Sequence, residues 1–295
     1  MHDLPDATLS PFTASDGENL AVRDWPLPAR QRRATVLLVH GLGEHSGRYA
    51  HVARRLNAWG LGVRGYDHYG HGESGGPRGG LNSDTRLLDD LADLVDATRA
   101  RMRPDEPLIV LGHSMGGLVA AAFAARALRP IDGLVLSSPA LATALNPVQK
   151  LLLATLPRIA PNLRVGNGLD ASYLSHDKAV VAAYRADPLC HDRICARLAR
   201  FIATAGPATV AQAGQWRTPT LLLWAGTDRL VDPAGSQAFC DSAPTGLVQG
   251  QCFAPLYHEI FNEADAQPVF QRLQQWLDAL LPAPSAQPLQ QPTSA

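Results

Sequence analysis

Apolar residues along the chain fall into short dense runs separated by amphipathic stretches. Residues 34–40 (ATVLLVH) are an almost unbroken run of β-branched residues and leucine, the signature of a strand covered on both faces of a sheet. Similar runs recur at 61–67, 108–112, 131–137 and 220–225, with a weaker one at 246–253. Two short strands are expected at 8–14 and 20–26, around a turn at Asp16-Gly17. Between the runs the spacing becomes helical. Tyr49, Val52, Ala53, Leu56 and Trp59 form one stripe over 48–59. Further helices are predicted over 84–103, where Pro104 ends the segment, and over 115–128, 233–242 and 262–281. Strands alternating with helices predict an α/β fold whose central sheet is mostly parallel and flanked by helices on both faces.

The alternation breaks between 141 and 206. No strand is read there, only helix-like pieces interrupted by Pro147, Pro157, Pro161 and Pro188. Coming after the sixth strand, this stretch reads as a helical lid over the carboxyl ends of the strands, where open α/β sheets bind ligands. The expected division is 1–140 as the first part of the core, 141–206 as the lid and 207–281 as the second part of the core. The Pro/Gln/Ser-rich residues 282–295 are expected to form a disordered tail.

Composition narrows the function classes. The 295 residues are 46% hydrophobic and 18% charged with a net charge of −1, so no global field favours nucleic acid or anionic membranes. The four cysteines (Cys190, Cys195, Cys240, Cys252) form no CxxC pair and no zinc-like spacing with histidine, which suits free thiols in a reducing compartment. The first 25 residues carry Asp3, Asp6, Asp16 and Glu18 and lack the apolar core of a signal peptide. No apolar run approaches the roughly 18 residues of a membrane span. The expected location is cytoplasmic.

The chemistry concentrates at Gly112-His113-Ser114-Met115-Gly116, a G-x-S-x-G between an apolar strand and a helix. In that context it reads as a nucleophile elbow. The serine sits on a turn so tight that side chains two positions either side would collide with strand and helix, hence Gly112 and Gly116. The Met115 N–H at the helix N-terminus then faces a developing oxyanion. The bland alternative is a Gly-rich turn whose serine only caps the helix.

Two features weigh against that alternative. In this fold the partners follow in the order serine, acid, histidine. Asp228 follows the strand at 220–225, and His258, the last of ten histidines, follows the run ending at Phe253. Asp232 precedes Pro233, where a helix cap is the better reading, so Asp228 is taken as the acid. The second feature is the turn His40-Gly41-Leu42-Gly43-Glu44 after the strand at 34–40, where the Leu42 N–H would complete a two-donor oxyanion hole with Met115.

Taken together, HGLGEHSGRY (40–49), YDHYGHGESG (66–75), GHSMGG (112–117), Ser137-Ser138-Pro139-Ala140, Gly226-Thr227-Asp228 and His258-Glu259 resemble the monoacylglycerol lipase and lysophospholipase-type α/β-hydrolases. The resemblance runs from about Phe12 to Leu281, and Tyr184–Leu189 with Asp187-Pro188 is similar to that family's lid. It implies the α/β-hydrolase fold and hydrolysis of an ester of a single acyl chain, a small-molecule lipid substrate, without cofactor or metal. It carries Ser114, Asp228 and His258 over as the triad and Leu42 and Met115 as the oxyanion hole, and it places Glu44 and Arg48 near the polar end of the substrate. One departure is the approach to the histidine. Phe253-Ala254-Pro255-Leu256-Tyr257 stands where the family tends to be glycine-rich, which bears on leaving-group preference. Two other functions remain open at this point: a short-chain carboxylesterase and a non-catalytic ligand-binding protein of the same fold.

Other residues are read more simply. His40, His45, His68 and His71 lack a completing carboxylate or cysteine set and are assigned to loop structure. Asp67, placed before the serine in the chain, is read as a turn residue serving backbone N–H groups. Asp89, Asp90, Asp93 and Asp96 are read as one solvated helix face. The glycines at 70–80 lack the phosphate-loop pattern GxxxxGK[ST]. The apolar stretch 151–161 (LLLATLPRIAP) either packs down onto the domain or lines an acyl tunnel and makes transient contact with membranes or micelles, contact that would be nearly insensitive to salt because the chain has no net positive charge.

Overall fold

The structure, a computed structural model, describes residues 7–143 and 147–281; the expected tail at 282–295 lies outside them. Eight of the described strands form one sheet: β1 (Thr8–Thr13), β2 (Asn19–Trp25), β3 (Ala34–Val39), β4 (Leu61–Tyr66), β5 (Leu108–His113), β6 (Gly133–Ser137), β9 (Thr220–Ala225) and β10 (Val248–Phe253). Their spatial order is β1-β2-β4-β3-β5-β6-β9-β10. The β1–β2 and β2–β4 pairings are antiparallel and the remaining five are parallel. This is the α/β-hydrolase fold. All eight strands correspond to runs legible in the sequence.

The central strands are apolar throughout because both faces are covered. Leu37, Val39, Val110, Leu136 and Leu222 point into one core, with α2 (Arg86–Arg99), α3 (Ser114–Ala125), α6 (Ala196–Ala211) and α7 (Pro233–Ser242). Val36, Leu38, Leu111, Val135 and Leu223 point into the other, with α1 (Ala50–Ala58) and α8 (Gln267–Leu280). Successive residues of each strand therefore alternate between two buried layers, as the pleat requires.

One surface expectation is overturned. Asp90 is buried on α2, where it accepts from the equally buried Arg86 one turn earlier (2.9 Å). Burial raises its carboxyl to about 7 despite that partner. A polar run on a helix does not say which polar residue faces inward. Here Arg86 also pairs with Asp16 and stacks on the Tyr69 ring, which draws Asp90 into the interior.

The insertion between β6 and β9 holds α4 (Pro147–Ile159), β7 (Arg164–Gly166), α5 (Lys178–Ala186), β8 (Arg193–Cys195) and α6. The two strands correct the expectation of a strand-free segment. They are three-residue pieces paired antiparallel, Val165 opposite Ile194, with no apolar run or alternation to announce them. Helix α6 carries the chain through the expected boundary at 206 and plants Leu198 and Ala205 in the core. No helix among the described residues is long and apolar enough to cross a membrane.

Candidate active site

The order of the sheet reverses at β3, which has β4 on one side and β5 on the other, and the carboxyl ends of the parallel strands share one edge. The chain leaves β5 at His113 and enters α3 at Ser114 with φ +54°. A left-handed serine costs on the order of 1–3 kcal/mol, and its neighbours hold it there. A Cβ on Gly116 would lie 2.2 Å from the Val39 carbonyl oxygen, and one on Gly112 would lie 2.5 Å from that of Gly116. Only glycines let the turn close against β3.

His258 and Asp228 come from loops after β10 and β9. The His258 Nδ1 lies 2.6 Å from Asp228 Oδ2, with both side chains buried. The other carboxylate oxygen accepts from the N–H groups of Leu230 (2.9 Å) and Val231 (3.0 Å). Burial by itself would raise the Asp228 carboxyl, but the adjacent imidazole and these donors hold it below its ordinary value. Burial would likewise lower His258, and the Asp228 charge more than offsets this and raises it. Asp232 instead caps α7, accepting from the Ala234 N–H at 2.9 Å. His113 packs on His258 with ring centroids 4.7 Å apart, and burial followed by the His258 charge lowers it to about 4.

Ser114, Asp228, His258, Leu42 and Met115 all line one cavity of about 1050 Å³. Among the described residues neither the Leu42 nor the Met115 N–H has a hydrogen-bond partner within the chain. The loop that carries Leu42 is fixed from behind. Gly41 N–H and Tyr49 Oη each donate to Glu44 Oε1 at 2.6 Å, and Arg48 donates to Oε2 at 2.6 Å. Arg48 also forks onto both oxygens of Glu259 at 2.6 and 2.8 Å. Glu44 is buried, which would raise its carboxyl, yet the Arg48 charge, followed by His113, His40 and the Tyr49 hydroxyl, brings it down to about 2. Glu44 therefore reaches the cavity wall with both oxygens already engaged, and Arg48 ties the loop of Leu42 to the loop of His258. In the sequence, Glu259 carries no signal beyond its place next to His258.

The insertion supplies most of the remaining wall. Leu153, Leu156, Leu163, Val165, Leu169 and Ile194 are its apolar residues there, and Tyr184, Asp187, Cys190 and His191 are among its polar ones. The polar residues grip the loop of Leu42. The Gly43 carbonyl accepts from the His191 N–H (2.9 Å) and the Tyr184 hydroxyl (3.2 Å), and His45 Nε2 meets Asp187 at 2.9 Å. Gly43 has φ +74°, and a Cβ there would lie 2.3 Å from the His191 carbonyl oxygen.

Ligand atoms of His45, Asp187 and Cys190 lie within 4.8 Å of one another, close enough to consider a metal ion. The hydrogen bonds oppose it. Gly47 N–H donates to His45 Nδ1 (3.2 Å), which leaves the imidazole proton on Nε2, where it is donated to Asp187. A metal at Nε2 would have to displace that proton, and burial pushes the Cys190 thiol up to about 12. His40, His68 and His71 pack ring against ring beneath the same loop, and Asp67 accepts from the N–H groups of Ser46 and Glu73.

Residues 30–265 match the family described as serine aminopeptidase, S33 (Hydrolase_4). The chain is 37% identical over 269 residues to the monoacylglycerol lipase of Mycolicibacterium smegmatis, covering 90% of this chain and 95% of that protein. The crystal structure of Paleococcus ferrophilus monoacylglycerol lipase is 30% identical with a TM-score of 0.78, covering 94% of this chain and 100% of that one. A soluble variant of the Saccharomyces cerevisiae monoglyceride lipase, solved with a substrate analogue, has a TM-score of 0.84 over 96% of this chain and 97% of that one. At 23% identity it speaks for the fold alone.

Proposed function

We infer the activity from one premise: the chain belongs to the serine aminopeptidase S33 family of α/β-hydrolases, and within it to the monoacylglycerol lipase type. The reaction we propose is hydrolysis of a carboxylic ester bearing a single acyl chain, most specifically a monoacylglycerol. His258 takes the Ser114 proton as Ser114 Oγ attacks the ester carbonyl carbon. The N–H groups of Leu42 and Met115 hold the oxyanion. His258 then protonates the departing alcohol, activates water, and the acyl-enzyme is cleaved to the free acid. Asp228 keeps the imidazole proton on Nδ1 and stabilises the imidazolium.

The observation that carries this reading is the left-handed Ser114 on a cavity shared with a buried His258–Asp228 pair. The lining of that cavity supports the substrate class: the insertion's leucines, Val165 and Ile194 suit one acyl chain, and its polar residues suit the alcohol. Glu44 joins those polar residues, with Arg48 framing it rather than reaching the substrate. The insertion is proposed to act as the lid, and its exposed Leu151, Ile159 and Leu163 to touch lipid aggregates. Residues 141–206 carry eight Arg and Lys against four Asp, so salt independence inferred from the whole chain does not extend to this segment. A cytoplasmic location is proposed on the four cysteines, none of them paired among the described residues.

A panel of glycerol and p-nitrophenyl esters of increasing chain length tests the proposal. We expect kcat/KM to rise with chain length and monoacylglycerols to be turned over well. A maximum at acetate or butyrate would make the protein a short-chain carboxylesterase. No turnover and no labelling by a fluorophosphonate would make it a binding protein.

A further inference from the structure

Between the end of β10 and the start of α8 lie thirteen residues without regular structure, and they carry His258. A loop of that length can position a general base only if its backbone is tied down. Three consecutive amides are tied. Tyr257 N–H donates to Glu263 Oε1 at 2.6 Å, His258 N–H to the Tyr173 carbonyl at 3.4 Å, and Glu259 N–H to the Leu174 carbonyl at 2.8 Å. Tyr173 and Leu174 belong to the insertion.

Glu263 closes the same junction from the other direction. Its side chain is 2% exposed. Oε1 also meets His176 Nδ1 at 2.8 Å, while Oε2 accepts from the His176 N–H (3.1 Å) and the Ser175 hydroxyl (3.3 Å). One buried carboxylate thus takes four donors, one from the histidine loop and three from the insertion. The Tyr257 ring stacks on His176 with centroids 3.6 Å apart, adding an apolar contact across the joint. A buried carboxylate is expensive unless its lone pairs are used. These are used on groups that fix where the histidine stands.

We propose that Glu263 is a positioning residue for the general base, acting by fastening the His258 loop to residues 173–176 of the insertion. That part of the insertion is then scaffold for the reaction and stays in place when any other part opens. The inference rests on the assignment of His258 as the base, and its test separates the two.

Glu263→Gln keeps the volume but turns one acceptor into a donor facing donors. In the full chain we expect kcat on a short soluble ester to fall about 10- to 100-fold with KM within about twofold, since small misplacements of a base act on the chemical step. A looser His258–Asp228 contact also returns His258 toward ordinary imidazole behaviour. The acid limb of kcat/KM should therefore move to lower pH, and the low-field NMR resonance of the His258 Nδ1 proton should shift. Unchanged kcat, pH profile and resonance, even with a lower Tm, would overturn the proposal by making Glu263 a purely structural anchor. Should Glu263→Gln not fold, the Ser175→Ala/His176→Ala double variant removes two side-chain donors while leaving the carboxylate. The same shifts in reduced size are expected, and their absence overturns the proposal equally. Ser114→Ala tests the underlying reading. Loss of activity there together with a wild-type Glu263→Gln enzyme would remove only this inference.

Discussion

A carboxylate 2.6 Å from an imidazole, with both side chains buried, fixes two titrations in opposite directions. His258 is raised, so as pH falls the unprotonated fraction able to act as base is lost already above the ordinary imidazole value of about 6.5. The acid limb of kcat/KM is expected on that side. Stability follows the same pair. The raised His258 contributes stability that is complete below its unfolded value and is lost as pH rises through its folded value. The lowered Asp228 contributes stability present above its unfolded value and lost as pH falls through its folded one. Asp228→Asn should reduce kcat by about 10⁴, because the amide favours the wrong tautomer. Asp232→Asn should leave activity and Tm nearly unchanged, since asparagine caps a helix about as well as aspartate. Steady-state kinetics on the two variants decides the assignment, and the opposite order would move the acid role to Asp232. Gly116→Ala should give little folded, active protein, because its methyl would lie 2.2 Å from a backbone oxygen. Circular dichroism and activity read this directly.

At the scale of elements, the core strands were legible because burial on both faces leaves continuous apolar runs, and the flanking helices because each buries one stripe. Boundaries were less so. Helix α8 begins at Gln267 rather than 262, since Glu259, Asn262 and Glu263 are spent on loop contacts that a periodicity does not reveal. Strands β7 and β8 exist only by pairing with each other, and Asp90 turns inward only because Arg86 is there to meet it. The candidate site was legible where a motif encodes geometry, as at 112–116, and illegible where function lies in contacts between distant loops, as with Glu259. Helix α4 offers a test. Leu153 and Leu156 line the cavity and are half-buried, while Leu151 and Ile159 are exposed. Replacing Leu153 and Leu156 with serine should reduce turnover of long-chain monoacylglycerols far more than that of a short soluble ester, each leucine being worth roughly 2 kcal/mol of apolar contact. Equal losses on both substrates with a lower Tm would mean that the helix only packs.

Over the whole molecule, the site belongs to neither the core nor the insertion alone. The insertion holds the Leu42 loop through Gly43 and His45, and the His258 loop through Tyr173, Leu174 and Glu263, while Arg48 joins the two loops beneath it. Arg48→Met would leave Glu44 and Glu259 buried without their cation, and a loss of about 3–5 kcal/mol is expected. Denaturation at several pH values should show the deficit shrinking under acid conditions as Glu44, which Arg48 holds down at about 2 in the wild type, protonates. A pH-independent deficit would indicate lost packing instead. Whether Ser114 is the nucleophile of an ester hydrolase is read by mass spectrometry of the intact and digested protein after a fluorophosphonate, paired with turnover by Ser114→Ala. One adduct is expected, on the peptide containing Ser114, with a loss of roughly 10⁴-fold or more in kcat for the folded variant. An adduct elsewhere, or a Ser114→Ala protein that keeps even about a tenth of wild-type turnover, a deficit far smaller than removal of a nucleophile produces, would contradict that role of Ser114.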